Sequence, residues 1–459
     1  MSDLTLGSQP DPKPDPKPDR QPGLLLVTAL LLILGAVLMS PNGDVSQIAT
    51  LHKFWLGAGV MGLGFVLSWR LHGVAQAGSA PLPAFWFWGV AIGVRLLLLP
   101  MQPGDDLWRY IWEGQIQTLG FSPYDLPPNA PELIPYRTAW WSQINHPDVA
   151  AIYPPITQLG FRLLAAVAPT VWLFKLAFVL ADLQICWLLG RRFGWLNATL
   201  YAWNPLIIYT FAGGGHYDSW FMLPLVIAWL RFERQFERQF ERQPDSAVSW
   251  ATASPAAWVG ISVALKWISL PVLGFLVWRL LRLRRFGQAC VTGCVGLLPL
   301  LLASLLFCWR GCALIPTRSS FVAYGRSAEF IPHFVAQIWP ASLQANWIFL
   351  LPLGLLTGGL LLRVVSFRRF CDGYLFGLLM LSPIVHFWYF AWIMPFAVPT
   401  QNWGARLVSL SAFVYFVLPS RIPDWRLSEV ERLAIWLPFG LGWLWTVWRL
   451  RPMQQDKSR

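Results

Sequence analysis

The sequence predicts an all-α, polytopic membrane protein, built as a single bundle of about 14 transmembrane helices. The chain has 459 residues, is 56% hydrophobic and has a mean hydropathy of +0.48. Only 13% of its residues are charged, whereas soluble domains carry roughly 25%. Apolar runs of the roughly 17 to 25 residues that a helix needs to cross the hydrocarbon core recur along the whole chain. These observations exclude a soluble globular protein.

The two ends of the chain differ from this apolar body. The tract DPKPDPKPDRQP alternates proline with charge, so we expect a disordered cytoplasmic tail over residues 1–22. The following run, LLLVTALLLILGAVLM, lacks the short core and the cleavage site of a secretory signal and indicates an uncleaved anchor. We expect one transmembrane domain over 23–452 and a short cytoplasmic tail over 453–459.

Basic residues predict the topology. The net charge is +12, and three loops rich in arginine (231–243, 278–286 and 363–370) are typical of the cytoplasmic side. The charge is therefore attributed to topology rather than to nucleic-acid binding. The triple FERQ repeat in the first loop is interpreted as low-complexity expansion. Cys308 and Cys312, in CWRGC, would pair only if their loop is exported.

Counting spans between these loops places several polar groups on the outer side of the membrane. The two counts, from the N terminus and from the basic loops, agree only if the segment 152–169 does not span. Its apolar residues recur at helical spacing, with Thr157, Gln158 and Arg162 off the stripe, so we expect a helix lying flat on the outer surface. The groups placed outside are Asp105 and Asp106, His216 and Asp218, Lys266, and His386.

Polar groups that are distant in sequence but share one membrane depth are a site hypothesis. In the first outer loop (102–170), Asp106, Arg109, Glu113 and Gln117 recur at spacings of three and four, as on one face of a short amphipathic helix. The sequence GDD before a helix is equally well explained as a helix cap.

The other groups also have structural explanations. GGGHYDSW, which contains His216 and Asp218, would serve as a tight turn before a helix, and the aromatic residues around His386 are also typical of a membrane-interface belt. Lys266, between two apolar half-runs, must reach the interface or find an anion such as phosphate.

Four segments carry a resemblance to a known family. They are DDLWRYIWEGQIQTLGFSPYDLPP, YPPITQLGF, WNPLIIYTFAGGGHYDSW and SPIVHFWYFAWIMPF. Together they resemble the polytopic GT-C-type glycosyltransferases, in particular the bacterial mannosyltransferases that use a polyprenyl-phosphate-linked sugar. The resemblance covers about 81–400. The chain departs from the usual pattern at Glu113, where members often have Asp, at Ser122 and at Phe387.

The resemblance implies a bacterial plasma-membrane enzyme with its active site on the extracytoplasmic face. It would move a sugar, with mannose as the first candidate, from a polyprenyl-phosphate donor to a glycan or lipid hydroxyl. Asp106 would be the general base, with Asp105 beside it. The residues implied in substrate or phosphate binding are Arg109, Tyr110, Glu113, Tyr153, His216, Asp218, Lys266, Arg318 and His386. Mg²⁺ or Mn²⁺ at Asp106 and Asp218 stays open, because some relatives use a metal and others do not.

Two other functions share the predicted architecture. A transporter or lipid flippase would also have many spans and buried charges, although the chain contains no second copy of the Asp-Asp loop. A polymerase or ligase of surface polysaccharide would also hold a lipid-phosphate sugar on the outer face. Such proteins typically place their large loop late in the chain rather than after an early span.

Overall fold

The computed structural model describes residues 21–40, 45–76, 82–234, 250–308 and 319–450. Within these ranges the protein is all-helical, with 78% helix and no β-strand. The one extended pairing there is an isolated parallel bridge between Ser327 and Ile384. The predicted all-α class is therefore confirmed. Most of the FERQ repeat and of both predicted tails lies outside the described residues, and the first helix begins at Gln21.

The α-helices are numbered in chain order over the described residues. They are α1 (Gln21–Met39), α2 (Ile48–Gln76), α3 (Ala84–Leu98), α4 (Asp105–Thr118), α5 (Pro155–Val167), α6 (Val171–Phe193), α7 (Trp195–Ala202), α8 (Pro205–Ile208), α9 (Ser219–Phe232), α10 (Trp250–Leu265), α11 (Leu270–Arg282), α12 (Phe286–Ser304), α13 (Ser320–Tyr324), α14 (Ile331–Ile338), α15 (Leu350–Arg363), α16 (Phe367–Leu381), α17 (Met394–Ala397), α18 (Trp403–Ser411) and α19 (Glu429–Leu450). Short turns of 3₁₀ geometry link several of them, and Tyr209–Gly213 forms a π-helical turn.

Six helical stretches in the described part of the chain are long and apolar enough to cross a membrane. They are Pro22–Met39, Ile48–Leu71, Val171–Phe193, Phe286–Ser304, Asn346–Arg363 and Trp403–Arg421. Four shorter apolar helices accompany them, at Ala84–Leu98, Pro155–Val167, Ser219–Phe232 and Ala253–Leu265. The molecule is thus a helical membrane protein by length and composition. The larger count of about 14 spans stays a prediction.

The aromatic segment between α16 and α18 is not one continuous helix. Pro383, Pro395 and Pro399 each lack an amide donor, and the chain between Ser382 and Asn402 breaks into short 3₁₀ and α pieces. The break leaves His386 just ahead of the 3₁₀ turn Phe387–Ile393. His386 therefore lies on irregular backbone, which can aim a side chain into a site.

A buried ion pair fixes the helices that lead into the first loop. Arg95 of α3 donates from Nε to Asp182 of α6 over 2.5 Å, and both side chains are almost fully buried. Arg95 also donates to the carbonyl oxygens of Ala91 and Ala202, the latter at the end of α7. Because a buried charge without its partner is costly, this pair favours one arrangement of the three helices.

Helices α4 and α5 pack closely and form the body of the first loop. A Cβ atom on Gly114 would lie 2.4 Å from the carbonyl oxygen of Phe161, so the two backbones approach closely. At 13 residues α5 spans about 20 Å, which is short of the roughly 30 Å hydrocarbon core. This length accords with the expectation that 152–169 does not cross.

The faces of the two helices differ in part from the sequence expectation. Arg109 and Glu113 face inward as predicted, but Ile111 and Trp112 are also buried. Ile111 packs in the cluster of Phe161, and Trp112 packs under the loop over 126–144. On α5 the polar Thr157 and Gln158 are buried, whereas Leu163 is 67% exposed. The reason is that both polar side chains find hydrogen-bond partners inside the protein.

Candidate active site

The paired acids begin α4 beside the glycine-rich loop that was predicted separately. Gly104 precedes the helix, so Asp105 and Asp106 occupy its first turn, at the positive end of the helix dipole. The amide of Gly104 donates to the carbonyl oxygen of Gly214 over 2.9 Å. Gly215 has a φ of +74°, a conformation that suits glycine. The structure therefore joins GDD and GGGH into one site.

Asp106 is surrounded by donors. The Nδ2 atom of Asn145 donates to Oδ1 over 2.6 Å, and the Tyr110 hydroxyl donates to Oδ2 over 3.3 Å. Nδ1 of His216 lies 3.6 Å from Oδ2. His216 is 3% exposed. Asp106 is thus held between an amide on one oxygen and an imidazole and a phenol on the other.

Three rings stack next to this carboxylate. The centroids of His216 and Trp388 are 3.6 Å apart, and those of Trp388 and His386 are 4.6 Å apart with nearly parallel planes. Nδ1 of His386 lies 2.7 Å from the hydroxyl of Tyr415 and 3.4 Å from that of Ser327. The stack links the glycine-rich loop to the broken aromatic segment, so the predicted residues His216 and His386 lie in the same site.

A second charged pair lies in the same region. Lys266 donates from Nζ to Oδ1 of Asp218 over 2.6 Å, and Trp392 donates to the same oxygen over 2.7 Å. Asp218 is fully buried. The Lys266 ammonium is also 4.8 to 5.5 Å from the ring centroids of four aromatic residues. These are Tyr217, Phe221, Tyr389 and Trp392. A cation in this cage is positioned by cation–π attraction as well as by its counter-ion.

The surroundings of Asp105 and Asp106 shift their pKa values in opposite directions. Asp105 is solvent-accessible yet surrounded by protein atoms, and this desolvation, followed by the charge of Asp106, raises the pKa of Asp105 to about 6. Burial also acts against ionisation of Asp106, but the nearby His216 and the Asn145 amide outweigh it and hold the pKa of Asp106 below its usual range. Burial lowers the pKa of His386 to about 4, although Asp106 opposes this. At neutral pH Asp106 is therefore a carboxylate and His386 a neutral imidazole.

Arg109 lies in the site region, but its guanidinium is taken up by protein acceptors. Nε donates to Oε1 of Glu113 over 2.7 Å. The other nitrogens donate to four backbone carbonyl oxygens, those of Asn145, His146, Val149 and Ala150. The second oxygen of Glu113 accepts from Gln158 over 2.6 Å. We expected Arg109 and Glu113 to contact substrate. Their geometry instead suits a brace between α4, α5 and the turn over 145–150.

The remaining predicted residues are Tyr110, Tyr153 and Arg318. The two tyrosines pack with Tyr217, which the sequence did not indicate. Tyr110, Tyr153 and Tyr217 pack edge to face, with centroids 5.0 to 5.5 Å apart, in the small aromatic cluster below Asp106. Arg318 lies outside the described residues.

Sequence reasoning missed several residues that the structure brings to the site. These are Asn145, Trp388, Trp392 and Tyr415. Asn145 stands in SQINHPD, where no periodicity or motif distinguishes it. The two tryptophans were visible only as members of an aromatic run. In a chain with 29 tryptophans, composition gives no signal for which of them face a site.

A divalent metal ion at Asp106 and Asp218 stays a prediction, and each carboxylate has one oxygen that is bound by another group. One oxygen of Asp218 already accepts from the Lys266 ammonium, and one oxygen of Asp106 accepts from Asn145. Among the described residues no group of three or more His, Cys, Asp and Glu side chains could hold a metal. The Lys266 ammonium beside Asp218 would oppose a divalent cation at that carboxylate, and no chemical step is assigned to a metal.

Comparison with known proteins yields no relative: the chain matches no protein-family model, no curated protein and no solved structure.

Proposed function

We propose that this chain is a GT-C-type membrane glycosyltransferase of about 14 spans. It transfers a sugar, with mannose as the first candidate, from a polyprenyl-phosphate donor to a hydroxyl of a glycan or lipid on the extracytoplasmic face. The observation that carries the proposal is the environment of Asp106. It is an ionised carboxylate at a helix start, hydrogen-bonded by Asn145 and close to His216, in a region with stacked aromatic rings and the caged Lys266. Asp106 is ionised at neutral pH, and general-base catalysis requires a carboxylate oxygen that can accept the proton of a hydroxyl.

In the proposed reaction the acceptor hydroxyl attacks the anomeric carbon of the donor. Asp106 takes the proton of that hydroxyl as the new carbon–oxygen bond forms, and the bond from the anomeric carbon to the phosphate oxygen breaks. The lipid phosphate leaves with the bonding electron pair, and a nearby cation stabilises its charge. Lys266 supplies this cation, since only one of its three ammonium protons is directed to Asp218.

The sidedness of the site has independent support. Cys308 is disulfide-bonded, and disulfides persist in oxidising compartments outside the cytoplasm. Phe307, its neighbour in the chain, packs against Tyr124 of the first loop with ring centroids 5.1 Å apart. Cys308 and the loop that contains Asp106 are therefore at the same end of the molecule, in accord with an extracytoplasmic site.

The proposal is tested by sugar transfer with the purified full-length protein. Labelled polyprenyl-phosphate-mannose, and the glucose and arabinose equivalents, are offered with total membrane lipid and glycan as acceptors. Asp106→Asn keeps the shape of the side chain but removes the base, so we expect a loss of about 10²-fold or more. Asp148→Asn is the matched control, because Asp148 is an exposed acid of the same loop.

Two results would contradict the proposal. If no donor is consumed by the wild-type protein, the transport function becomes the better explanation of the spans and buried charges. If a donor is consumed but Asp106→Asn is as active as wild type, Asp105 and Asp106 are a helix cap and the base lies elsewhere.

A further inference from the structure

The turn over 145–150 presents Asn145 to Asp106 at close range. The 2.6 Å contact must involve the amide NH₂, since the amide oxygen would repel an ionised carboxylate at this distance. Asn145 is half-buried, and its own Oδ1 is buried with no hydrogen-bond partner among the described residues. A side chain that leaves its acceptor unsatisfied in order to donate here indicates that the contact to Asp106 determines its orientation.

The backbone of the turn that carries Asn145 is held by hydrogen bonds from Arg109. Arg109 donates to four carbonyl oxygens of the turn, with the shortest contact, 2.6 Å, to Val149. Arg109 is 4% exposed and is itself fixed by Glu113, which is 1% exposed and accepts from Gln158. Rearranging the turn would leave N–H groups of this buried guanidinium without acceptors, which is unfavourable. Asn145 therefore reaches Asp106 from a rigid support.

The contact makes the two oxygens of Asp106 unequal. Oδ1 accepts the short bond from Asn145, whereas Oδ2 has only the longer approaches of Tyr110 at 3.3 Å and His216 at 3.6 Å. A hydrogen bond of 2.6 Å to a charged acceptor is a strong one. Oδ2 is consequently the oxygen that a substrate hydroxyl can address.

We propose that Asn145 is a positioning residue, which keeps Asp106 in its ionised form and directs Oδ2 toward the acceptor hydroxyl. The inference rests on the proposed function, because it assigns Asn145 a part in that reaction. It concerns which oxygen takes the proton and over which pH range it is able to do so.

Several other titratable groups face Asp106 and can contribute to the pH profile of the reaction. They are Asp105 of the same helical turn, His146 of the turn over 145–150, His216 of the glycine-rich loop, His386, and the hydroxyls of Tyr110, Tyr153, Tyr217, Tyr389 and Tyr415. Asn145 also lowers the pKa of Asp105, so the acidic limb alone does not distinguish the two acids. A measurement that identifies the protonated residue is therefore needed beside the pH profile.

The test compares Asn145→Ala and Asn145→Asp with wild type. Loss of the donor in Asn145→Ala removes stabilisation of the carboxylate, so the acidic limb of the pH–rate profile should rise by roughly one pH unit. Asn145→Asp places two carboxylates within hydrogen-bond distance, and such a pair retains a proton, so the limb should rise further. The control is Asn129→Asp, because Asn129 donates to Asp148 over 2.8 Å in the same loop but on its exposed side.

A second readout does not depend on activity. The rate at which a carbodiimide labels Asp106 in the full-length protein is followed against pH by mass spectrometry, since labelling requires the protonated carboxyl. We expect labelling of Asp106 to extend to higher pH in the order wild type, Asn145→Ala, Asn145→Asp, with Asn129→Asp unchanged.

The two readouts separate the possible failures. If wild type transfers no sugar, the proposed function fails, while labelling still decides whether Asn145 controls the protonation of Asp106. If both Asn145 variants lose activity by the same factor at every pH and label as wild type does, Asn145 is only a structural residue and the inference is overturned. If Asn145→Asp fails to fold, Asn145→Ala still tests the inference, because it introduces no charge.

Discussion

Lys266 and Asp218 lie 48 residues apart in the chain and form an ion pair with 2.6 Å between Nζ and Oδ1. The Asp218 side chain is fully buried, while that of Lys266 is 14% exposed. The pair connects the N-terminal end of α9 to the bend between α10 and α11. Removing one charge would leave the other without a partner in the protein interior.

Lys266→Met should therefore destabilise the protein by about 3 kcal/mol, since it leaves the Asp218 carboxylate buried and unpaired. The double variant Lys266→Met/Asp218→Asn removes both charges and should recover much of this loss. Thermal unfolding in one detergent measures the effect. Arg421→Met is the control, because Arg421 and Glu431 form an exposed pair, also at 2.6 Å, that should contribute less than about 1 kcal/mol. Equal losses for the single and double variants would contradict the prediction.

Arg109→Met should lower kcat for sugar transfer by roughly 10- to 100-fold while leaving the KM for the donor nearly unchanged. The reason is that Arg109 binds carbonyl oxygens of the turn that supports Asn145, so its loss misplaces the base rather than a substrate contact. The measurement is steady-state kinetics with the donor that the sugar-transfer assay identifies. A large rise in KM with kcat preserved would instead support the phosphate contact that the sequence suggested.

Asp105→Asn should stabilise the protein at about pH 8 and leave its stability unchanged near pH 4. The pKa of Asp105 is raised to about 6, whereas an unfolded chain has about 3.9, so the folded state binds this proton more tightly. Stability is consequently lost as the pH rises between these values. Because Asp105 is solvent-accessible, we expect roughly 1 kcal/mol at most. Unfolding midpoints across this pH range test it, and a constant difference between the two proteins would contradict it.

Gly114→Ala should disrupt the packing of α4 against α5. The added Cβ would lie 2.4 Å from the carbonyl oxygen of Phe161, so the helices must separate, at a cost of about 3 kcal/mol. Gly93→Ala in α3 is the control, since nothing lies within 4 Å of its Cβ position. The yield of monodisperse protein and the unfolding midpoint should fall only for the first variant. Normal behaviour of Gly114→Ala would mean that the two backbones are farther apart.

The sequence predicted those features that depend on local pattern. The spacing of Arg109 and Glu113 places both on one face of α4, because a helix repeats every 3.6 residues, and the structure brings that face inward. The same pattern did not reveal that Arg109 binds the turn over 145–150, which is almost 40 residues further along the chain. On α5, apolar spacing did not reveal that Gln158 would be buried, since its partner Glu113 lies outside its own helix.

By itself the sequence determined that this is an all-helical membrane protein with a polar loop after an early span, because hydropathy and helical period are properties of neighbouring residues. Tertiary structure alone decided that Asp106 meets Asn145 and His216, that Trp388 lies between two histidines, and that Lys266 is paired with Asp218. Apart from the stack of Trp388 on His386, these contacts join residues that are 39 to 172 positions apart. Their formation depends on how helices pack and where prolines break the backbone, and no local pattern encodes that packing.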